Sequence, residues 1–150
     1  RHLLDSFIEA VLHFEEALGM TFLQLPPYFQ PGGVSALQRF LGYIPEEFAL
    51  AVEFRHPAWF SDSGAWQEIM AYMQERGIAV AITDTAGRRD VLHMTLTTDC
   101  AFVRFVGNNL HASDYVRIDA WVAKLSQWIQ QGLSQVYFLL HEPEKALCAD

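Results

Sequence analysis

Cysteine is nearly absent: Cys100 and Cys148 stand 48 positions apart and outside any CxxC spacing. That usage excludes a disulfide scaffold and a structural zinc finger, and it leads to the expectation of a reducing, cytoplasmic setting. Positive charge is also scarce, with 10 Lys and Arg against 18 Asp and Glu and a net charge of −8. Without a whole-protein positive field, neither a nucleic-acid duplex nor an anionic membrane is the expected partner, and any anion site must be local. No run of 18 apolar residues occurs, and the opening Arg1-His2-Leu3-Leu4-Asp5 has no signal-peptide h-region, so neither a membrane span nor secretion is expected. GxGxxG, GxxxxGK[ST], G-x-S-x-G and H-E-x-x-H are all missing. Their absence removes the usual signatures of dinucleotide, P-loop, serine-hydrolase and zinc-protease sites.

What is present is a chain that buries a core, 51% hydrophobic over 150 residues, the length of one ordinary domain. Apolar residues from Leu3 to Leu18 follow a helical stripe, with Gly19 where a left-handed C′ residue is wanted. Met20 to Leu25 reads as a buried strand closed by Pro26-Pro27, and Ala49 to Phe54 as a second. Between them Val34, Leu37, Phe40, Leu41 and Ile44 keep helical spacing. Asp62 or Ser63 can cap a helix carrying Trp66, Ile69, Met70 and Met73 that Gly77 ends. Strands follow at Ile78 to Thr83, Ala101 to Val106 and Val136 to Leu140, with a helix that Asp114 can start and Gly132 stops. Val91 to Thr98 reads as irregular. Strand starts near 20, 49, 78, 101 and 135 are spaced by one β/α unit, which predicts a parallel α/β fold.

Nearly every strand ends on a polar or ionisable group: Gln24, Glu53-Arg55-His56, Asp84, Arg104 and His141-Glu142. Such a ring is what the active-site face of a TIM-type (β/α)8 barrel requires, whereas a doubly wound sheet would carry a glycine-rich phosphate turn. Five strands cannot close that barrel and the chain opens inside a helix, so the expectation is strands four to eight of it. Three N-terminal βα units then lie outside this numbering.

Leu23-Gln24-Leu25-Pro26-Pro27, Ala51-Val52-Glu53-Phe54-Arg55-His56 with Trp59, Asp84 after an apolar strand, and Val103-Arg104-Phe105 before Gly107 together resemble the YecE-like family, domain of unknown function 72. The resemblance runs in order from about Gly19 to His141 and implies a TIM-type barrel. It also shows departures: Val106 stands where the family pattern has a histidine, and His141-Glu142-Pro143 replaces an asparagine pair with histidine. It implies a fold and site positions but no reaction.

Glu53 and Arg55, two apart on one strand, share a face. They are either a base or metal ligand with its arginine, or a buried pair locking the barrel end. His56, held extended by Pro57, is an acid/base group or a loop residue bonding the backbone. Asp84 is a ligand to substrate or metal, or a turn former. Arg88, in Gly87-Arg88-Arg89-Asp90, grips an anion or is solvated loop charge. Arg104, inside an apolar strand, needs a carboxylate or an anionic ligand. His141 offers a proton shuttle. Trp59 either stacks on a substrate or lids the barrel end.

The expected function is an enzyme acting by acid/base or metal-assisted hydrolysis or isomerisation on a small anionic, phosphorylated or sugar-like substrate. Glu53, His56, Asp84 and His141 are its candidate catalytic groups, and Gln24, Arg55, Trp59, Arg88 and Arg104 its candidate binding groups. A divalent metal is the possible cofactor. A metabolite-binding barrel without chemistry is the alternative, with nucleic-acid processing the more distant one.

Overall fold

A computed structural model describes residues 2–61 and 63–143 of the chain. Asp62, named above as a candidate helix cap, and Cys148 lie outside the described residues. In chain order the elements are α1 (His2–Leu12), β1 (Thr21–Gln24), α2 (Val34–Leu41), β2 (Leu50–Glu53), α3 (Ala58–Ser61), α4 (Ser63–Glu75), β3 (Ala79–Thr85), β4 (Cys100–Val106), α5 (Ala112–Gln130) and β5 (Gln135–His141). All five strands pair in parallel, in sequence order, and the sheet curls as a half-barrel. The β1–β2, β2–β3 and β4–β5 connections are helical crossovers, as the spacing of apolar runs predicts, whereas β3 reaches β4 through an irregular segment with one short 3₁₀ turn.

The two faces of the sheet pack against different partners. Val52 and Val80 face a core that includes Leu37 and Leu41 of α2 and Ile69 and Met73 of α4. Ile82, Val103 and Phe105 face Trp121 and Trp128 of α5. The opposite, concave face carries Ala51, Ala79, Ala81 and Phe102. β2 and β3 therefore alternate larger residues toward the helices with alanines or polar groups toward the inside, while β1, β4 and β5 add the Phe22, Phe102 and Tyr137 rings to the inner face, all at the period-two pleat.

Three local expectations change. The first helix stops at Leu12 rather than running to Leu18, and the chain turns through Glu15 at φ +47. Gly19 is not a left-handed cap: a Cβ there would lie 3.3 Å from Tyr137 Cε1, so glycine lets the chain pass close to that ring. α5 begins at Ala112 with His111 as its cap, whose Nδ1 accepts from Ser113 N at 3.2 Å. Asp114 sits in the first turn instead, where its carboxylate accepts from Asn108 N at 2.7 Å. The segment from Val91 to Thr98 is irregular apart from the end of a short 3₁₀ turn at Arg89–Val91.

Candidate functional site

Parallel register stacks the concave face in rows. Gln24, Glu53, Ala81, Phe102 and Tyr137 form one row. Thr83, Arg104 and Leu139 form the next toward the C-terminal ends, and Thr85, Val106 and His141 the last. Because Ala81 is small, a cavity of about 310 Å³ opens above this face, lined among others by Gln24, Glu53, Arg55, Thr83, Arg88 and Arg104.

Glu53 lies at the bottom of this cavity with 2% of its surface exposed. Gln24 Nε2 donates to both carboxylate oxygens at 3.1 Å, and Arg104 Nη1 donates to Oε2. Arg55 Nε stands 4.0 Å from Oε1. Glu53 therefore pairs with arginine both across the sheet, with Arg104 of β4, and with Arg55, which lies just beyond the end of β2 rather than on one strand with it. Neither arginine is exhausted by it: the side-chain N–H groups of Arg55 and the other side-chain N–H groups of Arg104 make no hydrogen bond to a described residue, although the Arg55 carbonyl accepts from Arg88 Nη2 at 3.5 Å. Arg104 also rests over the Phe22 ring, 5.3 Å from its centroid. Arg88 reaches in from the loop after β3, its guanidinium held at 2.9 Å by Asp90. With Arg88 paired to Asp90, the two guanidiniums of Arg55 and Arg104 against the one carboxylate of Glu53 give the cavity a local positive excess inside an acidic chain.

Other expected members stand elsewhere. Asp84 shares its strand face with Val80 and Ile82 and points to the helices, away from the cavity. Its Oδ1 accepts from Arg89 and Arg117 at 2.9 and 2.8 Å, and its Oδ2 from Trp121 Nε1 at 2.8 Å. Arg117 continues to Asp114 and to the Val106 carbonyl, both at 2.9 Å. Burial opposes charge on Asp114, yet Arg117 and the Asn108 N–H hold its carboxyl below the usual range. Trp59 is a core residue with no exposed surface, its Nε1 donating to Phe29 O at 2.8 Å and its ring edge-on to Phe54, so no stacking platform remains. His56 turns its Nδ1 to the Ala58 N–H at 3.1 Å, bonding the backbone at the start of α3. His141 is exposed at the end of β5, in the row of Val106 but not lining the cavity.

The residues missed in the sequence are Thr83, Thr85 and Arg117. Size alternation within Ile78-Ala79-Val80-Ala81-Ile82 carries the signal for the first two, since the parity of the alanines continues to both threonines. Arg117 is three residues from Asp114 on one helix face. A divalent cation does not fit this donor set. Among the described residues no three His, Cys, Asp or Glu side chains gather to hold one, and Glu53 already accepts from Gln24 and Arg104. Among the described residues no helix is long and apolar enough to cross a membrane.

Comparison with known proteins places this geometry. Residues 1–149 match the family described as "Protein of unknown function DUF72". The UPF0759 protein YecE of Escherichia coli is 30% identical over 162 residues, covering 96% of this chain and 59% of its own length. The chain thus spans about three-fifths of the curated relatives it matches. A solved DUF72 family protein of Enterococcus faecalis superposes with TM-score 0.73 at 17% identity, over 94% of this chain and 61% of that one. A DUF72 family protein of Thermotoga maritima gives 0.69 at 23% identity, over 91% and 56%. These two likenesses show the α/β fold.

Proposed function

The chain belongs to the DUF72 family, and on that premise we propose that its concave cavity is the ligand site of an enzyme for small anionic, sugar-like or phosphorylated compounds. The five strands are then strands four to eight of a TIM-type barrel, and the cavity lies at the C-terminal ends where such barrels place their chemistry. The observation that carries the reading is the approach of Arg55 and Arg104 to one buried carboxylate, Glu53, in a cavity that Arg88 also lines, in a chain of net charge −8. Arginine N–H groups left without partners among the described residues are suited to a ligand's oxyanion, and Glu53 is the candidate acid/base group beside it. Asp84, Trp59 and His56 are assigned structural roles, and His141 remains a candidate at the rim.

A second reading, binding without turnover, is favoured by one feature. Both oxygens of Glu53 accept hydrogen bonds, which suits an anchor for Arg104 as well as a base. A thermal-shift screen of the protein against sugar phosphates and other small anions, followed by turnover assays on the stabilising compounds, separates the two. The enzyme reading expects Glu53→Gln to keep binding and lose turnover. If Glu53→Gln leaves every ligand effect and every activity unchanged, both readings of this site are wrong.

A further inference from the structure

Three buried side-chain atoms among the described residues have no hydrogen-bond partner: Arg76 Nε, Arg117 Nε and Thr83 Oγ1. The two guanidiniums donate through their other nitrogens, to the Ile44 carbonyl and to Asp84 and Asp114. Thr83 has no such outlet. A buried hydroxyl without a partner is a net cost to a fold, and the comparable hydroxyl of Thr97 avoids it by donating to Ile78 O at 2.7 Å and accepting from Val80 N at 2.9 Å.

The position of Thr83 explains what its hydroxyl is for. It lines the cavity, faces Arg104 in the β3–β4 register, and lies one row beyond the Glu53–Ala81 pair. No hydrogen bond holds the hydroxyl in its present buried orientation, so it is free to move to another staggered well when a ligand enters the cavity that Thr83 lines. Arg55 continues the inward parity of Glu53 on the neighbouring chain segment, so donors approach from β3, from β4 and from beyond the end of β2. One bidentate arginine satisfies a planar carboxylate. Three donors arriving from separate segments match an oxyanion whose oxygens point in several directions.

We propose that Thr83, with Arg104 and Arg55, seats the phosphoryl group of a small phosphorylated ligand. The inference rests on the ligand-site reading above and adds the chemistry of the group bound and the residue that selects it.

The test uses inorganic phosphate as probe, with sulfate and acetate as controls, in calorimetric titrations and thermal melts of the wild-type protein and of Thr83→Val and Thr83→Ser. Wild type and Thr83→Ser bind phosphate, and bind it more tightly than acetate. Thr83→Val, which keeps the shape and removes the hydroxyl, binds phosphate about tenfold more weakly, the loss of one hydrogen bond to a charged group. Ligand-free Thr83→Val melts at or above the wild-type temperature, because it no longer buries an unpaired hydroxyl. Equal phosphate binding by wild type and Thr83→Val overturns the role of Thr83 while leaving the ligand site standing. Acetate bound as well as phosphate overturns the phosphoryl assignment. No response of wild type to any of the anions overturns the ligand-site reading itself. A lower melting point for ligand-free Thr83→Val marks the hydroxyl as structural and also counts against the proposal; Thr83→Ala, measured in the same way, decides the matter if Thr83→Val does not fold.

Discussion

Glu53 and Asp84 are buried to the same degree, 2% exposed each, near the C-terminal ends of adjacent strands, yet they do different things. Asp84 faces the helices, where Arg89, Arg117 and Trp121 occupy its oxygens, and Arg117 is itself only 13% exposed. It ties β3 to α5. Glu53 faces the cavity, and the arginines it holds keep N–H groups in reserve. Burial and pairing of a charge thus do not by themselves mark a site. Spare hydrogen-bonding capacity beside an open volume does.

The comparison is broken most directly on the helix side. Asp84→Asn leaves Arg117 buried with one partner fewer, and we expect a loss of about 3–5 kcal/mol in urea unfolding, the cost of breaking a buried pair. A loss below about 1 kcal/mol would contradict the structural assignment of Asp84.

His93 extends the helix-side account to pH. Its ring stacks on Phe60, meets Trp66 edge-on, and is pushed down to about 4 by burial, partly offset by the Ala81 carbonyl. The unfolded chain protonates this ring below about 6.5 and the folded one resists until about 4. Stability from the neutral ring is therefore complete above pH 6.5 and is lost as pH falls through about 4, by at most about 3 kcal/mol. Unfolding free energies at pH 7 and 4.5 should differ less in His93→Phe than in wild type.

On the cavity side the effects on stability shrink while those on binding grow. Arg104→Ala leaves Glu53 with Gln24 and a distant Arg55, for an expected loss of about 1–2 kcal/mol. Arg88→Ala, whose pair with Asp90 is roughly half exposed, should leave the melting temperature unchanged and weaken anion binding several-fold in the same titrations.

The order of strands was legible because apolar runs of strand length, spaced by one β/α unit, admit little else. The composition of the cavity was half legible. Glu53, Arg55 and Arg104 announce themselves as charges inside apolar strands, a placement that needs a partner or a ligand. The face that Asp84 takes was not legible from its place at a strand end, which says nothing of parity. The alternation of Ile and Val with Ala along β3 holds that information, and it puts Asp84 with the large residues and Thr83 with the small ones. Trp59, open in the sequence between a stacking platform and a lid, packs inward for a local reason. The short helix α3 follows Pro57 directly, and a loop exposed in sequence terms folds its tryptophan into the core. The inward face of Thr83 was legible in that alternation but its role was not, since an unpaired hydroxyl becomes informative only once its surroundings are known.

The most direct test of the division between the two carboxylates is a set of thermal melts of wild type, Asp84→Asn and Arg104→Ala, each with and without saturating inorganic phosphate. Asp84→Asn should melt well below wild type and keep the phosphate-induced rise, while Arg104→Ala melts nearer wild type and loses that rise. A phosphate response that survives in Arg104→Ala and disappears in Asp84→Asn would contradict the account.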